Sequence, residues 1–412
     1  MQPVTERISH DLESLATMTD TSMPGWTRAA FSELDIVGRH WAADQLRAEG
    51  LEVHEDAAGN IIGRLPGRHP ELGAIATGSH TDTVEGGGRF DGIVGVIGAL
   101  EAVRMLREND IRLNHDLLII VFFNEEPNSW GTSCLGSRAL TGALPKDYFD
   151  RENQQGEKLG HALQRVGIDP SGMLGVDAYL QASNLRSFVE LHVEQGPVLE
   201  RVGSQVGIVT SITGVTRFEA LFRGRQDHAG TTSMLDRRDA GCTAAGVVLA
   251  VERIAGAHET GRGTTGQVLF TPDAVNVVSE EALITGEFRS PDDEWLSFAQ
   301  DQLQEAAAAE GAKRRVDVAI DWLPTQAPVP MAEPLQQAIE ATSAHLDLTA
   351  SKLYSGAEHD AAIMGALVPS AMIFIPSAAG RSHCPDEWTD LADISAGTAM
   401  LAGSLVEIDR LR

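Results

Sequence analysis

The first half of the chain alternates between apolar runs of helical spacing and short, wholly apolar runs. Residues 36–50 carry apolar side chains on one helical face and end at a glycine, which predicts an amphipathic helix. Residues 74–77 predict a short strand, and the small apolar residues of 92–104 predict a buried helix. Residues 117–123 are apolar at every position, which is typical of a central parallel strand. Together these elements predict an α/β sheet.

The pattern changes near residue 209, where strands with alternating polar and apolar positions begin. Four strands and two helices follow in the order β-α-β-β-α-β, which is the ferredoxin-like arrangement with both helices on one face of the sheet. Their predicted positions are strands 215–222, 266–270, 283–288 and 316–322 and helices 236–254 and 292–310.

The last part of the chain returns to the first pattern. An apolar strand is predicted at 371–375, and a closing helix at 394–411. We therefore expect one α/β domain in two pieces, interrupted by a smaller inserted domain. The predicted boundaries give residues 1–208 and 325–412 to the α/β domain and residues 209–324 to the insertion.

Composition narrows the possible partners. The chain has 412 residues, 42% of them apolar, and its formal charge is −27 because 32 Lys and Arg stand against 59 Asp and Glu. This charge repels phosphate, so it excludes non-specific binding to nucleic acid and attraction to anionic membranes. We expect a small-molecule substrate and neither nucleic-acid nor membrane partners.

Cysteine usage and the lack of targeting signals point to the cytoplasm. The three cysteines, Cys134, Cys242 and Cys384, do not form a disulfide framework, which fits a reducing compartment. The N-terminal residues show no basic start followed by an apolar run, so we expect no signal peptide. The longest clear apolar run, residues 117–123, is too short to span a bilayer.

Side chains that can bind metal follow the predicted strands. His80 and Asp82 come after the strand at 74–77, and an Asp beside a His ligand can orient its ring. Asp91 ends a glycine-rich loop before the helix at 92–104. Glu125 and Glu126 follow the central strand, where α/β folds bind ligands. Taken singly, these segments are also compatible with a polar loop, a helix N-cap and a solvated turn.

Three further histidines stand in distinctive segments: His192 in E-L-H-V-E-Q-G-P, His228 in D-H-A-G and His383 in S-H-C-P. Each alone is more often a structural or surface residue than a ligand. Cys384 is disfavoured as a ligand, because neighbours on an extended chain point to opposite faces. No G-x-S-x-G elbow occurs, and Cys134 is expected to be a packing residue rather than a nucleophile.

Taken in order, these segments resemble the dinuclear-metal amidase branch of the M20 metallopeptidase superfamily, over about residues 25–390. That branch contains N-carbamoyl-L-amino-acid hydrolases, allantoate amidohydrolases and β-ureidopropionases. The segment with His192 is the most specific, because peptidases of the superfamily more often have a carboxylate at this position. The motifs that carry the resemblance are G-S-H-T-D, G-G-R-F-D-G, N-E-E, E-L-H-V-E-Q-G-P, H-A-G-T-T and S-H-C-P-D-E.

The resemblance implies two divalent metal ions per subunit, chosen among Zn, Mn, Co and Ni. The metal ligands that it implies are His80, Asp91, Glu126, His192 and His383, with Asp91 bridging. Glu125 matches the general base, and Asp82, beside the ligand His80, is expected to be catalytic together with Glu125 and His228.

The resemblance also implies a substrate-binding set in the inserted domain, which is expected to act as a lid and a dimerisation domain. Arg289 would hold a substrate carboxylate, His228 would hydrogen-bond the developing oxyanion, and Asn276 completes the set. Gln195 is expected beside the site. Because the matching histidine commonly reaches the partner's active site, we expect a homodimer.

The expected reaction is hydrolysis of an N-carbamoyl-L-amino acid to the amino acid, ammonia and carbon dioxide. The alternatives are hydrolysis of allantoate or another ureide, an N-acyl-amino-acid amidase or dipeptidase, and a non-catalytic dimeric binding protein with a degenerate site.

The chain departs from the family pattern at several positions, none of them a ligand. Pro127 and Ser279 replace residues that are usual in the family, and so do Glu358 and Arg381, which lie in loops expected near the substrate. Glu358 and Arg381 are therefore candidate substrate-binding residues, and our hypothesis is an intact hydrolytic centre with an unusual substrate.

Overall fold

The computed structural model describes residues 1–411, which form two compact units. The larger unit contains Met1–Thr210 and the chain from Met331 onward, and the smaller unit is Ser211–Pro330. The smaller unit thus ends at Pro330 rather than at the predicted residue 324, and its last two residues, Val329–Pro330, form a short strand.

The chain up to residue 212 contains seven α-helices and six strands within the described residues. In order they are α1 Thr5–Ala16, α2 Glu33–Ala48, β1 Glu52–Glu55, β2 Ile61–Leu65, β3 Ala74–His80, α3 Ile93–Glu108, β4 Asp116–Phe122, α4 Leu135–Leu140, α5 Leu159–Arg165, α6 Ala178–Ala182, β5 Leu185–Val193, α7 Val198–Val202 and β6 Val206–Ile212.

The remaining elements follow in two groups. The smaller unit contains β7 Gly214–Arg223, β8 Asp227–His228, α8 Ala240–Gly256, β9 Arg262–Thr271, β10 Val277–Val278, β11 Glu281–Ser290, α9 Asp293–Arg314, β12 Asp317–Trp322 and β13 Val329–Pro330. The larger unit then closes with α10 Glu333–Leu346, β14 Ala350–Ser355, α11 Asp360–Met364, β15 Ser370–Ile375 and α12 Leu391–Ile408.

The larger unit is built on a mixed sheet with a parallel centre. Its strand order is β1-β2-β4-β3-β5-β15-β6, and β14 also pairs with β6. The four central strands β4, β3, β5 and β15 are parallel, and every residue of β3, β4 and β15 is buried, as the wholly apolar run at 117–123 predicts. Their carboxyl ends therefore meet at one edge of the sheet, which is where ligands bind in α/β folds.

Helices α3 and α12 pack together in the main core of this unit. Among the described residues, α12 is the one helix long and apolar enough to cross a membrane, with a mean hydropathy of 1.3. However, 56% of that stretch is buried inside the protein, and Met400, Leu401 and Leu405 belong to the core. The length and hydropathy of α12 therefore belong to a helix that is packed in the protein core.

The smaller unit has a four-stranded antiparallel sheet in the order β12-β7-β11-β9. Helices α8 and α9 contact each other and share one apolar core with the sheet. Helix α8 begins at Ala240 rather than at the predicted residue 236, because the Asp239 side chain accepts the Cys242 N–H and caps the helix there.

Candidate active site

The carboxyl edge of the sheet carries four of the five predicted metal ligands. His80 is the last residue of β3, His192 lies near the end of β5, Glu126 follows β4, and His383 lies in the loop after β15. Asp91, the fifth, comes two residues before α3. The fold thus brings together side chains that are up to 303 residues apart in sequence, from 80 to 383.

Asp91 lies between two groups of possible metal ligands. Its Oδ1 is 3.1 Å from His192 Nε2 and 3.9 Å from His80 Nε2. Its Oδ2 is 3.1 Å from His383 Nε2, and that nitrogen is 3.4 Å from Glu126 Oε1. One group is His80, Asp91 and His192 and the other is Asp91, Glu126 and His383, each with ligand atoms within 4.8 Å of one another.

Backbone carbonyls orient two of the histidine rings. Nδ1 of His80 lies 3.0 Å from the Asp82 carbonyl oxygen, and Nδ1 of His192 lies 2.9 Å from the Val193 carbonyl oxygen. A carbonyl can only accept, so each Nδ1 donates to it and each Nε2 faces the cluster, where a deprotonated nitrogen could bind a cation. The backbone nitrogen of Gly92 lies 3.2 Å from Nε2 of His192.

Two buried polar atoms of the cluster fit a bound cation. Within residues 1–411, neither His80 Nε2 nor Glu126 Oε1 has a hydrogen-bond partner, although both are shielded from water. Leaving such atoms unpaired is costly, and a cation would satisfy both. The set of imidazole nitrogens and carboxylate oxygens suits first-row divalent metals.

Several site residues have left-handed backbone. Asn124 (φ 50°) ends the extended run of β4 and turns the chain toward the two glutamates, and Gln195 (φ 57°) and His383 (φ 53°) have the same conformation. Non-glycine residues adopt it at a cost, and such strain clusters at functional sites. The backbone is therefore shaped around the cluster of ligands.

The side chain of Asp82 holds the backbone after β4 rather than the ring of His80. Its Oδ1 accepts the Glu125 N–H at 3.2 Å and its Oδ2 accepts the Glu126 N–H at 3.1 Å. The shortest distance from this carboxylate to His80 Nδ1 is 3.6 Å, so the expected bond to the ring is made by the backbone carbonyl of Asp82 instead.

Glu125 lies beside the cluster but belongs to neither ligand group. Its Oε2 is 3.5 Å from His80 Nε2, and its Oε1 is 3.7 Å from the thiol of Cys134. Burial raises the pKa of Glu125 well above its usual range, and the charge of Glu126 adds to the effect. Burial also raises the pKa of the Cys134 thiol well above its usual range, which fits the predicted packing role.

Gln195 contacts a ligand directly. Its Nε2 donates a 2.7 Å hydrogen bond to Asp91 Oδ2 and lies 3.3 Å from His383 Nε2. Gln195 thus holds the carboxylate that the two ligand groups share.

Glu358 and Arg381 are engaged by other residues of the larger unit. Glu358 forms a 2.7 Å ion pair with Arg138 and accepts the Ser133 hydroxyl at 3.0 Å. Arg381 pairs with Asp386 at 3.1 Å, and both side chains are more than half exposed.

The predicted residues His228, Asn276 and Arg289 all lie in the smaller unit. Strands β8 and β10 pair antiparallel, which places His228 opposite Val277, next to Asn276. Nδ1 of His228 accepts the N–H groups of Gly230 and Thr231 at 3.0 and 3.2 Å. Arg289 lies on β11, where its Nε is 2.6 Å from a carboxylate oxygen of Glu287.

The family of the chain follows from a match over most of its length. The sequence model of the protein family described as Peptidase family M20/M25/M40 matches residues 76–407. This chain belongs to that family.

Relatives of the M20 chain match it almost from end to end. N-carbamoyl-L-amino-acid amidohydrolase of Paenarthrobacter aurescens is 36% identical over 407 residues, which cover 98% of each chain. Ureidoglycolate hydrolase of Oryza sativa subsp. japonica is 33% identical over 409 residues, which cover 97% of this chain and 84% of the rice protein.

A solved structure is also similar to this chain over almost its whole length. An amidase of the hydantoinase/carbamoylase family from Burkholderia multivorans has a TM-score of 0.90 at 31% identity, with 98% of both chains covered. The M20 chain is a hydrolytic enzyme that acts on amide-type C–N bonds, as the sequence predicts.

Some residues at the site of this M20 chain were not predicted from the sequence. The His359 ring packs edge-on against His192 with centroids 4.5 Å apart. Glu190 accepts the Ser79 hydroxyl at 2.7 Å, and Glu387 accepts the Asp91 N–H at 3.1 Å. Glu190 and Glu387 lie in the motifs around His192 and His383. Their closeness in sequence to these candidate ligands was the signal that could have placed them at the site.

Proposed function

We propose that this chain is a metal-dependent N-carbamoyl-L-amino-acid hydrolase that releases the amino acid, ammonia and carbon dioxide. The observation that carries the proposal is the position of Asp91 between two groups of ligands, with His80 Nε2 and Glu126 Oε1 lacking a hydrogen-bond partner among residues 1–411. Relatives with this activity in their names, matched over 98% of the chain, support the choice of substrate.

The proposed metal centre holds two divalent ions, Zn, Mn, Co or Ni. Its ligands are His80, Asp91, Glu126, His192 and His383, with Asp91 common to both groups. When bound, such ions supply Lewis acidity that lowers the pKa of water and polarises a carbonyl.

Glu125 is the proposed general base. It would accept a proton from the attacking water and deliver it to the leaving nitrogen, and the raised pKa that burial gives this carboxyl favours its holding that proton between the two steps. Asp82 fixes the backbone N–H groups of Glu125 and Glu126, so it keeps the base and the neighbouring ligand in register.

The smaller unit is proposed to be a ferredoxin-like lid that helps to bind the substrate. Its β-α-β-β-α-β order and its sheet order β12-β7-β11-β9 support this assignment. Arg289 would hold the substrate carboxylate, and His228 and Asn276 would hydrogen-bond its polar groups. The larger unit would be the catalytic domain, which the sequence predicts at residues 1–208 and 325–412.

Three residues of the larger unit complete the proposed substrate site. Gln195 would orient the substrate from its position on Asp91. Glu358 and Arg381 would influence specificity through the loops that they brace, Glu358 by its ion pair with Arg138.

We propose a cytoplasmic homodimer that forms through the lid. Strand β9 lies at the edge of its sheet, and Val268, Leu269 and Phe270 on it are 42%, 51% and 43% exposed. An open edge with exposed apolar residues can pair with another strand, and a second copy of the chain offers the same edge for a two-fold interface.

A second candidate function is hydrolysis of allantoate or another ureide. The 33% identity to the rice ureidoglycolate hydrolase favours this class among the alternatives. An N-acyl-amino-acid amidase or a dipeptidase would use the same ligands on a different bond.

A substrate panel tests the proposal. One amino acid is offered to metal-loaded protein in its N-carbamoyl, N-formyl, N-acetyl and dipeptide forms, with allantoate and ureidoglycolate alongside. The proposal predicts the highest kcat/KM for an N-carbamoyl-L-amino acid. A higher value for a ureide would establish the second candidate, and hydrolysis of acyl or peptide forms alone would contradict both.

A further inference from the structure

A buried glutamate next to the candidate metal centre has no part in the proposed reaction. Glu387 is 2% exposed and lies four residues after His383. Its carboxylate contacts the loop that carries Asp91, 296 residues earlier in the chain. Glu387 therefore links two segments that each supply a candidate ligand.

Both oxygens of Glu387 are hydrogen-bonded. Oε1 accepts the backbone N–H groups of Phe90 at 3.0 Å and Asp91 at 3.1 Å, and Oε2 accepts the Ser382 hydroxyl at 2.6 Å. Ser382 Oγ is also 3.0 Å from Asp91 Oδ2. The carboxylate thus holds the backbone of Asp91 and the residue before His383 at the same time.

The glycine-rich loop is shaped around this carboxylate. A Cβ at Gly88 would clash with the carboxyl carbon and both oxygens of Glu387, so the loop can wrap it only with glycine there. Next to it, the Phe90 and Trp388 rings pack edge-on with centroids 5.5 Å apart. These contacts are independent of the hydrogen bonds and fix the same two segments.

We propose that Glu387 is a positioning residue that sets the affinity of the metal centre by fixing Asp91 relative to His383. The inference rests on the proposed metal-dependent function. Because Asp91 is common to both ligand groups, a displaced Asp91 would disturb both. Residues that orient metal ligands typically change metal affinity about 10–100-fold when replaced.

The test measures metal affinity by competition with a chromogenic chelator, using Zn²⁺ and Mn²⁺ as probes. E387A leaves two buried N–H groups unpaired, and we expect about 10–100-fold weaker metal binding. E387Q keeps a carbonyl oxygen for those N–H groups but loses the acceptor for Ser382, so its affinity should lie between those of E387A and the wild type.

The matched control is D409N. Asp409 is also a buried carboxylate that accepts backbone N–H groups, those of Asn114 and His115, in a loop without candidate ligands. D409N should lower the unfolding temperature and leave metal affinity unchanged, which separates positioning from general stability.

Each outcome decides the inference. Folded E387A or E387Q with wild-type metal affinity would overturn it, and E387Q decides alone if E387A does not fold. Equal losses in E387Q and D409N would also overturn it. A wild-type protein that binds neither Zn²⁺ nor Mn²⁺ would instead refute the proposed function, and this inference with it.

Discussion

Asp91 is the residue on which the proposed centre depends, because each of its oxygens faces a histidine nitrogen 3.1 Å away. Gln195, Ser382 and the Glu387 carboxylate hold its side chain and backbone. A carboxylate held in this way would be positioned for the proposed cations before they bind, which would lower the cost of ordering the site.

Replacing the proposed base should abolish turnover without removing metal. Glu125 lies in neither ligand group, so E125Q should keep its metal while kcat falls about 100- to 10,000-fold. Metal content and steady-state rates are measured on the same sample. E126Q is the control and should lose metal as well as activity, and an E125Q protein with near wild-type kcat would contradict the assignment.

Metal uptake should depend on pH through His383. The hydrogen bond to Asp91 and the nearby charge of Glu126 raise the pKa of His383 to about 9 in the metal-free protein. Imidazole must lose its proton to bind metal, so apparent affinity should rise as pH increases toward about 9, with proton release on binding. Calorimetry in buffers of different ionisation enthalpy measures this.

The same shift has a consequence for the stability of the metal-free protein. A raised pKa stabilises the folded state fully below the ordinary histidine pKa of about 6.5. This contribution is lost as pH rises through about 9. H383N should remove the part of both effects that comes from His383, and a wild-type metal affinity that is flat between pH 7 and 9 would contradict the prediction.

At the scale of elements, the loop before α3 depends on glycine. Gly92 has φ +69°, and a Cβ there would clash with the ring of His80. Gly203, at the end of α7, has φ +68° with nothing within 4 Å of the same position. The two glycines therefore share a positive φ but differ in ψ, which is −43° at Gly92 and 31° at Gly203, and in what surrounds them.

This pair separates backbone strain from damage to the site. G203A should lose about 1–2 kcal/mol of unfolding free energy, because L-residues are strained in the left-handed region. G92A should lose more, because its ψ lies outside that region and its Cβ would meet the His80 ring. Only G92A should also lose metal affinity, since its methyl group displaces His80. Chemical denaturation and metal titration check this, and equal metal affinity in the two variants would refute the role of Gly92.

The sequence predicts elements well where the pattern is strong. The all-apolar run at 117–123 becomes the buried strand β4, and the family and the hydrolytic activity inferred from the ordered motifs are confirmed. Helix α10 was not predicted, although Leu335 and Ile339 on it are core residues. Its exposed face mixes polar and apolar residues, so its period is weak.

Contacts that depend on tertiary structure could not be predicted. Local spacing gave no reason for the carbonyl of Asp82, rather than its carboxylate, to orient His80. It also could not pair Glu387 with Asp91, because such pairing arises from the packing of distant segments and leaves no periodic signal.

At the scale of the whole molecule, two compact units divide the proposed tasks. The larger unit contains all the candidate ligands, and the smaller one contains the proposed residues for the substrate carboxylate and oxyanion. With a charge of −27, the protein would rely on a local cation such as Arg289 to hold an anionic substrate.

The proposed dimer can be tested at the edge of the lid sheet. L269K places a charge among the exposed apolar residues of β9 and should shift the protein from dimer to monomer. V202K is the control, because Val202 is 59% exposed in the larger unit. Sedimentation velocity measures both variants, and a fully active wild-type monomer would contradict the proposal.

The most direct measurement is ammonia release from an N-carbamoyl-L-amino acid before chelation, after chelation and after metal is returned. The account predicts full activity, loss of activity in the metal-free protein, and recovery when Zn²⁺, Mn²⁺, Co²⁺ or Ni²⁺ is added. Full activity in protein shown to be free of metal would contradict it.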